Sequence, residues 1–96
     1  MSERIDNLKR AVEKACGCKA RHSRSAAVIE GFEGEHVWDG VVEVFDLEGH
    51  LRAKQAYAFL FAEDGRTVIK TVLGVSPVKS ELDAVRVAIA GKAREK

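Results

Sequence analysis

Ninety-six residues, 46% of them hydrophobic and 32% charged, suffice for one globular domain with a single modest core. A net charge of +1 supplies no global attraction to nucleic acid or to an anionic membrane. The longest wholly apolar run, residues 56–62, is far short of the roughly 20 residues of a membrane-spanning helix. The opening Met-Ser-Glu-Arg-Ile-Asp lacks the apolar centre of a secretory signal, so a cytoplasmic protein is expected.

Ser2 is placed to cap a first helix, with Glu3 in its first turn favourably set against the helix dipole. Ile5, Leu8, Val12 and Ala15 or Cys16 recur at helical spacing, and Gly17 is a natural stop. Residues 19–24 read as a basic connector. A first strand is expected at 25–32 and a turn at 33–35. The second strand, 36–47, places Trp38, Val42 and Val44 on one face and Val37, Val41, Phe45 and Leu47 on the other. Asp39-Gly40 interrupts it, either as a hairpin turn or, preferably, as a bulge at Gly40. Glu48-Gly49-His50 makes the next turn, 53–62 the third strand, Asp64-Gly65 a tight turn, and 67–75 the fourth strand.

Ser76-Pro77 is a serine cap followed by a first-turn proline, which opens a last helix; Ser80 with Asp83 offers a later start. Val78, Leu82, Val85 and Ile89 form its apolar stripe, broadened by Ala84, Val87 and Ala88, and Gly91 is the expected end. The fold class is therefore α+β, in the order α-β-β-β-β-α. A four-stranded antiparallel meander is expected to carry both helices on one face. Residues 1–96 form a single domain, with 92–96 as a frayed tail.

The third strand is apolar on both sides: Gln55, Tyr57, Phe59 and Phe61 alternate with Ala56, Ala58, Leu60 and Ala62. Small residues let helices approach closely, which puts the alanines under the helices and the aromatics on an open face. Val41, Glu43, Phe45, Gln55, Tyr57, Phe59 and Phe61 then form a candidate binding surface, larger than a soluble monomer usually exposes. A second copy of the chain is the expected occupant, making a homodimer. A small ligand or another protein is the alternative.

Other chemistry is sparse. Cys16, Cys18 and His22 form a C-x-C-x-x-x-H cluster, with His36 and His50 as further nitrogen donors, but no complete tetrahedral zinc set has usual spacing. A disulfide between cysteines separated by one residue would be strained. Neither a nucleophile motif nor a phosphate loop is present, so no catalytic residue, metal or cofactor is assigned. Glu43, flanked by Val42 and Val44, is the one acid that a raised pKa would suit as a base, paired with a histidine in a dimer cleft. Its ordinary role would be a cross-strand partner for Lys54 or Lys70. The element order approaches that of double-stranded RNA-binding domains. Residues 76–83 nevertheless hold one lysine and two acids where a phosphate grip would need bases. Open aromatics can stack single-stranded bases, but lysine and arginine are not interleaved with them.

Residues 33–50, EGEHVWDGVVEVFDLEGH, with AYAF at 56–59 and AVRVAI at 84–89, look like a group of small uncharacterised bacterial proteins. The resemblance covers most of the chain and implies no activity and no site residue. Leu51 stands where a proline would be expected after the Gly-His pair.

Overall fold

A computed structural model describes residues 3–32, 35–63, 65–75 and 78–94, with the side chains of 32, 35–37, 63 and 90–94 outside the description. The elements are α1 (Glu3–Cys16), β1 (Lys19–Phe32), β2 (Glu35–Glu48), β3 (Gln55–Glu63), β4 (Arg66–Leu73) and α2 (Glu81–Arg94). The strands make one antiparallel sheet in the order β1-β2-β3-β4. The expected α+β class and meander are therefore observed. Gly17, at φ 68°, closes α1 by donating its N–H to the Glu13 carbonyl at 2.9 Å.

The helices do not share a face. Leu8 and Val12 of α1 pack on Ala20, Phe45, Ala56 and Ala58. Ala84 and Val85 of α2 pack on Val42, Val44, Tyr57, Phe59 and Phe61. Phe45 pairs with Ala56 and Val44 with Tyr57, so these two clusters lie on opposite sides of the sheet. The expectation of both helices on one side is corrected here. β3 demands a cover on each side, and each helix, joined to a different edge strand, supplies one. Tyr57, Phe59 and Phe61 are accordingly core, each gaining roughly 1.5–3 kcal/mol from burial. Burial pushes the Tyr57 phenol upward, with Glu81 adding to the rise, Arg24 opposing it and Asp83 contributing less.

Residues 19–24 are strand rather than connector. Their charges find cross-strand partners: Lys19 faces Glu48, and Arg21 faces Asp46 with a 3.8 Å ion pair. Gly40 is neither a turn nor a bulge, since it pairs with Val28 inside a continuous β2. The Trp38 indole lies over it, and a Cβ at Gly40 would meet that ring at 3.0 Å. The register shifts occur instead between His22 and Arg24 and between Glu30 and Gly31.

α2 begins at the later of its two candidate starts. Ser80 Oγ accepts from the Asp83 N–H at 3.2 Å, while Asp83 Oδ2 accepts from the Lys79 N–H at 3.0 Å. Ser76-Pro77 lies outside the described residues, as does part of the 33–35 turn. The helix continues through Gly91 to Arg94, past its expected end and into the expected tail. Ion pairs from Arg24 to Glu81 and from Arg86 to Glu30 fasten it to β1. Among the described residues no helix is long and apolar enough to cross a membrane.

Adjacent residues of β3 test the face assignment. Phe59→Ala is expected to cost about 3–5 kcal/mol in urea unfolding, whereas Leu60→Ser, at a position 42% exposed on the opposite side, should stay within about 0.5 kcal/mol. Equal losses would contradict the arrangement.

Candidate functional site

The most unusual group in the molecule is Glu43. Of the described charged residues it is the buried one, with 1% of its surface exposed, on the α1 side of β2. Arg4 Nη1, near the start of α1, donates to Oε2 at 2.6 Å, and His22 Nε2 lies 2.7 Å from Oε1. The Ser25 hydroxyl donates to the same Oε1. Arg4 Nη2 also reaches the Val41 carbonyl at 3.4 Å.

This convergence depends on an irregularity in β1. Residues 22 and 25 are three apart and would point to opposite faces of a regular strand. The shift between His22 and Arg24 inserts one residue, so His22 faces Phe45, Ser25 faces Glu43, and both side chains share one side. The His22 ring also stands edge-on to Phe45, with centroids 5.4 Å apart.

Burial alone would push the Glu43 carboxyl up. Hydrogen bonds from Ser25, Arg4 and His22, together with the Arg4 charge, outweigh it and hold the group below the usual carboxylate range. The expected raised pKa is thereby corrected, and with it the idea of Glu43 as a base. The expected partners Lys54 and Lys70 are replaced by Arg4, His22 and Ser25. Lys70 is paired with Phe59 on the α2 side, its ammonium 5.8 Å from the Phe61 ring centroid.

The remaining candidates scatter. Glu43 and Phe45 lie beneath α1 and Val41 on the same side of the sheet beyond it, whereas Tyr57, Phe59 and Phe61 are buried beneath α2. Gln55 bonds Asp46 Oδ1 at 3.1 Å. The proposed aromatic surface therefore does not exist as one face, and no buried ring there is open to stack a base. Of the cysteine–histidine cluster, His22 is committed to Glu43, and the His36 side chain lies outside the description. Cys16 and Cys18 instead border the 49–52 loop. Among the described residues no three His, Cys, Asp or Glu side chains converge to hold a metal ion.

What stays exposed is aliphatic. α1 reaches only as far as the Glu43 row, and beyond it one apolar residue from each strand faces out: Ala27, Val41, Leu60 and Ile69. Ala27 pairs with Val41 and Leu60 with Ile69. The β2–β3 pairing ends at Glu43–Ala58, so Val41 and Leu60 follow on the same side just past the end of that ladder. Exposures are 38% at Val41, 42% at Leu60 and 39% at Ile69, with Ile29 in the next row at 67%. No protein-family model matches this chain, and neither the curated proteins nor the solved structures contain a match.

Glu43→Gln is expected to cost about 1–3 kcal/mol at neutral pH, because the amide cannot accept from three donors. The folded carboxyl titrates below the ~4.3 of an unfolded glutamate. Its stabilisation is therefore complete above that pH and lost as pH falls through the folded value. Urea unfolding of both proteins from pH 7 to pH 3 should show the gap between them closing on acidification. A constant gap would rule this account out.

Proposed function

We propose that the protein is a binding module that pairs with a second copy of itself through the uncovered half of the α1 face. The observation that carries this is the aliphatic band Ala27, Val41, Leu60 and Ile69, one residue per strand, in two cross-strand pairs and open to solvent. A flat aliphatic strip matches its own copy, as the two-fold interfaces of homodimers require. Charge supports the same occupant. Arg4 borders the band at the Glu43 row, and Asp39 borders it two residues away on the other side of Val41. A two-fold axis running along the band sets Arg4 of one copy opposite Asp39 of the other, twice.

Size sets the strength. Four strands about 4.8 Å apart and two rows of outward residues give a footprint of roughly 270 Å². That is well below the ~800 Å² per partner of a standard interface. The dimer is therefore weak and concentration-dependent rather than permanent.

The Glu43–His22 contact supports a second reading. A buried carboxylate on one imidazole nitrogen orients the ring for proton transfer by the other, and His22 Nδ1 has no partner among the described residues. In that case His22 is the acid–base group and Glu43 its positioning residue. Turnover of a nitrophenyl ester panel that His22→Gln leaves unchanged would dismiss this role.

Sedimentation equilibrium across a wide concentration range checks the pairing. A reversible monomer–dimer equilibrium is expected, abolished by Leu60→Glu or Ile69→Glu and weakened by Asp39→Lys, with urea stability altered little. A wild-type chain that stays monomeric at the highest concentrations rejects self-association.

A further inference from the structure

We propose that Cys16 and Cys18 form a two-coordinate thiolate site for a soft monovalent ion of the Cu(I) class. Cys16 is the last residue of α1, and Cys18 immediately precedes β1. Gly17 between them, in the left-handed conformation at φ 68°, turns the chain so that both half-buried cysteines line one cavity of about 390 Å³. Gly49, His50, Leu51 and Arg52 form its other wall.

The donor set selects the ion. Among the described residues no carboxylate lines the cavity, which removes the oxygen ligands that hard cations need. His50 cannot complete a zinc set. Its Nδ1 accepts from the backbone N–H groups of Arg52 and Ala53, both at 3.0 Å. In the neutral ring the proton is then on Nε2, which is a donor and not a metal ligand. Two sulfurs remain, and soft thiolates without further ligands suit Cu(I), which accepts linear coordination, better than tetrahedral Zn(II).

The bound unit carries a net charge of −1, and Arg52 and His50 line the same cavity. Binding is an exchange of metal for protons: both S–H bonds break, two S–Cu bonds form, both protons leave to water, and no electron is transferred.

The test is titration of the reduced, untagged protein with Cu(I) in the presence of a chromophoric Cu(I) chelator. One ion per chain, with release of about two protons, is expected. Cys18→Ser, outside the helix, should lower the affinity at least tenfold, and the Cys16→Ser/Cys18→Ser double variant should abolish transfer from the chelator. His50→Ala should retain the one-to-one stoichiometry. Circular dichroism confirms that each variant is folded, and Cys18→Ser carries the test if the double variant is not. Unchanged uptake by Cys18→Ser, one ion shared by two chains, or displacement of Cu(I) by equimolar Zn(II) would each overturn the proposal.

Discussion

A strand that is apolar on both sides cannot lie on the surface of a small protein, and the organisation of this molecule follows from that constraint. In β3 the aromatics alternate with alanines, so the two sides differ in depth as well as sharing polarity. The alanine side admits α1 close to the sheet over Ala56 and Ala58. The aromatic side fills the wider gap beneath α2 with its own rings. Gly74 shows how tightly the chain leaves β4 for α2: its N–H bonds the Gln55 carbonyl at 2.8 Å, and a Cβ would stand 2.9 Å from that oxygen. One helix per side is the solution that covers both flanks of β3, on the alanine side as far as Ala58.

The division of labour is unequal in reach. β1 and β2 are each 14 residues long, and at about 3.3 Å per residue they far outrun a 14-residue helix rising 1.5 Å per residue. α1 therefore ends its cover at Glu43, where Arg4 turns the boundary into an ion pair. Polar cluster and aliphatic band are two consequences of the same mismatch. Inside the boundary a carboxylate is sealed and satisfied. Outside it, side chains of the same sheet face remain in solvent.

Much of this was legible in the amino-acid order. Two-residue alternation found four strands, though it missed residues 19–24 of β1, and it sorted Trp38, Val42 and Val44 from Phe45 and Leu47 as observed. Helical spacing found Leu8, Val12 and Val85. Which flank each helix takes was not legible, because periodicity fixes a face relative to its own strand and says nothing of the connection that carries the next element over the sheet. Grouping Phe45 with Tyr57 failed for a related reason: it needed the register between β2 and β3, which sets Phe45 opposite Ala56. The Glu43 cluster was half visible. Glu43 was conspicuous among valines, but Arg4 is remote in sequence, and His22 and Ser25 have the wrong parity until the strand is interrupted between His22 and Arg24. No residue type there announces the interruption.

Trp38 is the chain's sole tryptophan. Its indole lies over Gly40, stands edge-on to Phe59 with centroids 5.4 Å apart, and donates to the Leu60 carbonyl at 3.2 Å. The molecule's intrinsic fluorescence thus originates entirely on the flank packed by α2. Emission would follow loosening of that layer and remain nearly blind to detachment of α1, so an optical signal of melting reports on half of the interior.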